Sequence, residues 1–198
     1  DFYLAGQQVT RSNCDNLSVL DGVSGTVKYD NSTKTLTLEN ATISNTAADD
    51  EYNGSGSGFY NELDGLTIRL VGKNTITSEK GIGLQNAAKS LTLTGEGQLT
   101  IKGTATTDSK DFSGAIANGG HITVSRCTLE ASAGVHGLVG GEWKFDRCNV
   151  RAKGSGVSGN SYTGSISWLW KQPEFVGCNI TESEGAQWKK FKDSGSTY

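Results

Sequence analysis

The sequence has little positive charge, and this scarcity limits the partners that the protein can bind. Its 198 residues include 18 lysines and arginines against 21 aspartates and glutamates, which gives a formal net charge of -3. Nucleic-acid-binding domains usually carry a basic excess. The one basic cluster, WKKFK at 188–192, is explained by a solvated tail. We therefore expect no nucleic-acid partner.

Long apolar runs are also absent. A membrane-spanning helix needs about 20 consecutive apolar residues, and the sequence contains no such run, so we expect no membrane span. No signal peptide is visible either. Because the chain begins at Asp1 rather than at a methionine, we expect that processing removed an export signal upstream.

Cysteine and histidine are too few and too scattered for a structural zinc site. The two histidines, His121 and His136, are not at zinc-finger spacing. Four cysteines allow three disulfide pairings, among which the sequence does not choose. None belongs to a CxxC pair: Cys14, Cys127, Cys148 and Cys178.

Helical periodicity is lacking, and alternation of apolar and polar residues takes its place. Such alternation is typical of β-strands with one buried face. It occurs in six segments, at 35–43, 66–77, 91–101, 121–131, 142–152 and 173–183. We therefore predict an all-β protein with few helices.

The six segments align with one another. Repeats of 20–30 residues with three short strands each are typical of a parallel β-helix, in which stacked coils share one core. The aligned apolar pairs of the first strand are Leu36/Leu38, Leu66/Ile68, Leu91/Leu93, Ile122/Val124, Trp143/Phe145 and Pro173/Phe175. The aligned residues of the second strand are Ile43, Ile76, Ile101, Leu129, Val150 and Ile180. Glycine-containing third elements follow at 80–84, 113–117, 133–138 and 155–159.

A sandwich of β-hairpins is the competing fold. Hairpins of this kind usually have Asn-Gly or Asp-Gly turns between mirrored strands, and such dipeptides occur at 21–22, 53–54, 64–65 and 118–119. They lie, however, between repeats that align in the same direction. We therefore predict one domain over 1–198, a single-stranded right-handed parallel β-helix of about six coils. Coils over 26–183 would be closed by an N-terminal cap (1–25) and a C-terminal cover (184–198), because an open end coil invites aggregation.

Three insertions interrupt the repeats. Those at 44–65 and 103–112 follow the second strand of their coils, so we expect both to leave the stack at the same corner. The third, at 160–172, follows a third element, and we expect it to leave at a different corner.

Several segments resemble a family of secreted bacterial surface proteins that are commonly labelled carbohydrate-binding. These segments are LAGQQVT (4–10), GVSGTVKYDNSTKTLTLENATI (22–43), LTLTGEGQLTIKG (91–103) and GGHITVSRCTLEASAGVHGLVGG (119–141). They are similar to the family's YD-polar-TLTLNNATI strand and GxLTITGGTLxxxG repeats. The resemblance, over roughly residues 3–183, implies a fold similar to the β-helix of pectate lyases. It also implies polysaccharide binding, with calcium in some relatives.

From the repeats and the resemblance together we expect a non-catalytic glycan-binding or adhesive module. Its partner would be a polysaccharide or a host or cell-surface glycan, and its location secreted, periplasmic or on the bacterial cell surface. A purely structural spacer or stalk domain is the first alternative. The second is a polysaccharide lyase or glycoside hydrolase, although the NTD and RIK motifs of polygalacturonases and a GxSxG elbow are missing.

Carboxylates concentrate in the first two insertions. Calcium takes six to eight oxygen ligands, so the cluster predicts a calcium site at this corner, with a solvated loop as the alternative. The candidate ligands are Asp49, Asp50, Glu51, Asp108 and Asp111. Glu79 would occupy the same corner in the coil between the two insertions.

Aromatic residues concentrate in the third insertion. If Trp168 and Trp170 lie on one strand, both indoles face the same side and form a platform for sugar rings, with Tyr162 just upstream. The alternative is a local lid over the edge of the core, because tryptophan is usually well buried.

An Arg-Cys pair recurs after 21 residues, in SRCTLEA (125–131) and DRCNVRA (146–152). The cysteines precede Leu129 and Val150 by two residues, and Ala41 precedes Ile43 in the same way, so the position favours a small buried residue. We predict free, buried thiols at Cys127, Cys148 and Cys178, although a Cys127–Cys148 bond is geometrically possible. Arg126 and Arg147 would form an exposed salt-bridge ladder with Asp146 and Glu130.

Overall fold

The computed structural model describes residues 1–48, 55–104, 114–156 and 164–178, and the backbone at 192–193 and 196–197. These residues form β-strands and one 3₁₀ turn, Leu17–Val19. In chain order the strands are β1 Phe2–Leu4, β2 Gln7–Gln8, β3 Val23–Asp30, β4 Thr35–Asn45, β5 Phe59–Asn61, β6 Leu66–Val71, β7 Lys73–Ser78, β8 Leu84–Asn86, β9 Ser90–Gly95, β10 Gln98–Lys102, β11 Gly114–Asn118, β12 His121–Ser125, β13 Thr128–Ala133, β14 His136–Val139, β15 Glu142–Asp146, β16 Asn149–Gly154, β17 Ile166–Ser167, β18 Glu174–Val176, β19 Lys192–Asp193 and β20 Ser196–Thr197.

The strands stack in three parallel columns. The first column contains the first half of β4, then β6, β9, β12, β15 and β18; the second contains the other half of β4, then β7, β10, β13 and β16. Because β4 belongs to both, these columns form one large curled sheet of eleven strands with β3. The third column, β5, β8, β11, β14 and β17, forms a seven-stranded sheet with β1 and β2. The pairing is that of a parallel sheet rather than of a hairpin sandwich.

Alternating apolar residues line the core in rows that cross successive strands. In the first column one row ends in aromatic rings, with the ring centroids of Phe145 and Phe175 5.3 Å apart. This row is Leu36, Ile68, Leu93, Val124, Phe145 and Phe175. In the second column the corresponding row is Ile43, Ile76, Ile101, Ala131 and Ala152.

The register differs from the sequence alignment at two steps. Leu36 pairs with Ile68 rather than with Leu66, and Ile101 pairs with Ala131 rather than with Leu129. Both errors are shifts of two residues. Such a shift keeps every side chain on the same face of the sheet, so alternation of apolar residues does not detect it.

Buried asparagines connect the third-column strands at their C-terminal ends. The Nδ2 of Asn61 donates to the Oδ1 of Asn86 over 2.8 Å, and the Nδ2 of Asn86 donates to the Oδ1 of Asn118 over 2.9 Å. Each side chain is at most 1 % exposed. The amide of Asn118 also donates to the backbone oxygens of Gly120 and Glu142. This asparagine ladder satisfies polar groups that would otherwise be costly to bury.

The N-terminal segment covers the first strands with antiparallel pairs. β1 pairs with β5, and β3 pairs with β4 along most of its length. β3 spans the boundary predicted at residue 25 between cap and coils. Near the C-terminus, β19 and β20 pair with each other, while most of the predicted cover, 184–198, lies outside the described residues.

Candidate functional site

All three insertions leave the sheet at one corner, between the second and third columns. The described second-column strands that precede them end at Asn45, Lys102 and Gly154. The prediction for the third insertion was wrong. Among the described residues after β16, the third column is reached at β17, where Ile166 pairs with Leu138, so a third-column strand lies inside the predicted insertion rather than before it.

A polar trough of about 790 Å³ lies along this corner. One wall is a row of hydrophilic side chains on four successive second-column strands: Thr77, Lys102, Ser132 and Lys153. Adjacent parallel strands are about 4.8 Å apart, so the two lysines are separated by about 10 Å. Glu79, Thr104 and Ser155 also line the trough.

Hydrogen bonds to the backbone hold two hydroxyls that belong to residues lining the trough. The hydroxyl of Ser78 donates to the carbonyl oxygen of Gly56 over 2.6 Å, and that of Thr104 donates to the carbonyl oxygen of Ser78 over 2.7 Å. Lys102 and Lys153 are exposed and have no ion pair within the part of the chain that the structure describes.

The predicted calcium site lies outside the described residues, because all five candidates, Asp49, Asp50, Glu51, Asp108 and Asp111, fall in 49–54 and 105–113. Among the residues that are described, no three histidine, cysteine or acidic side chains cluster as metal ligands would. Calcium binding stays a prediction.

The two tryptophans do not share a strand. β17 ends at Ser167, and Trp168 has a left-handed backbone with a φ of +56°. The premise of two indoles on one strand face was therefore wrong. Trp170 is 50 % exposed, whereas Trp168 is half-buried, and Tyr162 lies outside the described residues. Sugar stacking on these aromatics stays a prediction, for which Trp170 offers the exposed ring.

The Arg-Cys pairs lie at the corner between the first and second columns. Arg126 and Arg147 have φ values of +54° and +47° and occupy the position that Gly95 and Gly177 fill at other first-column strands. Arg147 pairs with Asp146 of its own coil, with nitrogen–oxygen distances of 2.8 and 2.9 Å. The predicted ladder was wrong, since neither Arg126 nor Glu130 has an ion pair with a described residue.

The cysteines are free, but only one of the three is fully buried. Cys127 is 5 % exposed, and burial raises the pKa of its thiol to about 11. Cys148 and Cys178 are half-buried, with their sulfur atoms 3.9 Å apart. The analogy with Ala41 was wrong. The strand pairing places Ala131 in the row of Ile43, Ile76 and Ile101. The residue two positions before Ala131 is Leu129, so Leu129 rather than Cys127 lies in the row of Ala41.

Sequence reasoning missed a buried histidine contact. His136 is 4 % exposed, and its Nδ1 lies 2.6 Å from the hydroxyl of Ser167. Burial lowers the pKa of His136, partly offset by a backbone hydrogen bond with Gly164. The contact joins β14 to β17. The two residues are 31 positions apart, and only the register of the paired strands could have indicated their contact.

The chain matches no protein-family model, no curated protein and no solved structure. Within the described ranges, no helix has the length and apolar character needed to cross a membrane.

Proposed function

We propose that the chain is a non-catalytic glycan-binding or adhesive module of a bacterial cell-surface or secreted protein. The observation that carries this proposal is the polar trough, which continues across four successive strands of one column. A trough in the direction of strand stacking suits an extended polymer, because each strand repeats the same contact one step further along.

The fold that we propose for this module is a single right-handed parallel β-helix of about six coils, similar to that of pectate lyases. Its support is the order of the strands, since each coil visits the first, second and third columns in turn. Crossovers between parallel strands of one sheet are right-handed in about 98 % of cases. Stacked coils of this kind would also place the lining residues of the trough on successive strands.

The trough offers hydrogen-bond donors at intervals that suit sugars. Hydroxyls of Thr77 and Ser132 alternate with the ammonium groups of Lys102 and Lys153. The strand spacing of about 4.8 Å is close to the advance of one pyranose unit in an extended chain. A glycan lying along the trough would therefore meet a new donor at nearly every residue.

Trp170 provides a second place for a sugar ring. Its indole is 50 % exposed, and aromatic faces with an exposed polar edge are common in binding surfaces. The residue follows the third column, so it lies on the opposite side of that column from the trough's corner.

A glycan array tests the proposal, with retained glycans then titrated by calorimetry. The double variant Lys102→Ala/Lys153→Ala removes both ammonium donors, and we expect at least about tenfold weaker binding from the loss of two charge-assisted hydrogen bonds. Lys28→Ala/Lys89→Ala is the matched control, because it removes two exposed lysines outside the trough. It should bind as the wild type does.

The outcomes separate the alternatives. If Trp170→Ala alone abolishes binding, the aromatic site rather than the trough is the glycan site. If the folded wild-type protein retains no glycan from the array, the proposal fails and a spacer domain is the better account. Release of reducing ends or of unsaturated uronides from a bound polysaccharide would instead establish an enzyme.

A further inference from the structure

A second cavity lies at the corner between the first and second columns, away from the trough. Its volume is about 710 Å³, and it extends over three coils. Charged side chains from each of these coils line it: Arg69, Glu96 and Arg126. The remaining lining residues, 70–72, 94 and 95, carry no charge.

The two guanidinium groups have no charged partner in the part of the chain that the structure describes. Neither Arg69 nor Arg126 forms an ion pair with any residue that the structure describes. Arg147, one coil further on, makes a two-point contact with Asp146 instead. Glu96 is the one described carboxylate lining the cavity, so the cavity keeps a net charge of one positive unit.

The backbone of Arg126 adds a second, independent observation. Its φ of +54° is in the left-handed region, where residues other than glycine are held at a conformational cost. In the preceding coil the same position is Gly95. Arg126 is therefore a charged residue of the cavity lining at a position where glycine would fold more easily.

We propose that this cavity binds a singly charged oxyanion, the carboxylate or sulfate ester of a ligand, between Arg69 and Arg126. The planar guanidinium presents parallel N–H donors that match two oxygens of such a group. One bound negative charge would neutralise the excess positive charge of the cavity. This site lies at a different corner from the glycan trough and does not depend on it.

Titration by nuclear magnetic resonance tests the site. The Nε–Hε signals of arginine are followed while sodium acetate or sodium methyl sulfate is added, with sodium chloride at equal ionic strength as the reference. We expect saturable shifts for one or both oxyanions beyond those caused by chloride. A response to acetate alone assigns a carboxylate ligand, and a response to methyl sulfate alone assigns a sulfate ester.

Two matched glycine variants separate binding from backbone strain. Arg126→Gly and Arg147→Gly each relieve a positive φ, so neither should lower the temperature of unfolding. Only Arg126→Gly should weaken oxyanion binding, by about tenfold, as the loss of a charge-assisted hydrogen bond predicts. Arg69→Gln should weaken it similarly.

The proposal is overturned by either of two results. The first is a wild-type protein whose arginine signals respond to acetate and methyl sulfate no more than to chloride. The second is an Arg126→Gly variant that keeps its affinity to within about twofold of Arg147→Gly, since a difference that small is under the energy of one hydrogen bond.

Discussion

Single residues at the corners carry most of what is unusual in this chain. Arg126 and Arg147 occupy left-handed positions at which neighbouring first-column strands have glycine. Their cysteine neighbours, Cys127 and Cys148, immediately precede the second-column strands β13 and β16 and are buried to different extents. The cysteines of this repeated motif thus lie at a corner of the sheet, where burial raises the pKa of the Cys127 thiol.

The thiol of Cys127 predicts an alkaline loss of stability. Burial raises its pKa from 9.0 to about 11, so folding favours the protonated thiol. Its contribution to stability is complete below pH 9 and is lost as the pH rises through 11. Over that range the free energy of unfolding should fall by roughly 2–3 kcal/mol more in the wild type than in Cys127→Ala, according to the energy of a two-unit pKa shift.

Urea unfolding at several pH values between 8 and 11 would measure this difference. Cys14→Ala serves as the control, because Cys14 lies in the N-terminal segment outside the core cluster. The free energy of unfolding of this variant should decline with pH as that of the wild type does. If the free energy of unfolding of Cys127→Ala falls with pH as much as that of the wild type, the alkaline loss of stability does not come from this thiol.

At the scale of elements, the asparagine ladder links each third-column strand to the next. Asn86 is its central member, donating to Asn118 and accepting from Asn61. Asn86→Ala would leave polar atoms of both neighbours buried without this partner, at a cost of about 1–3 kcal/mol for each group. We therefore expect the free energy of unfolding to fall by about 2–4 kcal/mol.

Chemical denaturation of Asn86→Ala, with Asn149→Ala as control, tests the ladder. Asn149 is exposed at the start of β16, so its replacement should change stability by no more than about 0.5 kcal/mol. A loss below about 1 kcal/mol in Asn86→Ala would mean that the buried amides do not depend on one another.

The sequence predicted the strands well and their register less well. Alternation located β6, β9, β10 and β12 because each has one face in the core. Alternation could not determine that Ile101 pairs with Ala131, because a shift of two residues leaves the same side chains facing the core. The asparagine ladder escaped notice for another reason: polar residues in a short strand give no apolar signal.

The candidate site was less predictable than the fold. The common exit of the first two insertions was expected, and Glu79 does line the trough at that corner. The trough itself depends on the alignment of Lys102 with Ser132 and Lys153, which requires the correct register. Trp168 was misplaced because its strand ends one residue earlier at a left-handed turn, a conformation that its sequence does not indicate.

At the scale of the whole molecule, the proposed function and the proposed oxyanion site share one premise. Both require that successive coils stack in register, so that side chains far apart in sequence line the same surface. The trough needs this at the corner after the second column, and the arginine cavity needs it at the corner before that column.

Distances between spin labels on the outer face of the first column test this premise most directly. One label at Thr35 is paired in turn with Thr123, Lys144 and Glu174, in a variant without native cysteines. These positions are three, four and five strands away from Thr35. At about 4.8 Å per strand, the backbone separations should rise regularly, at about 14, 19 and 24 Å. Distances that fail to increase by one strand spacing at each step would contradict the stacked-coil architecture.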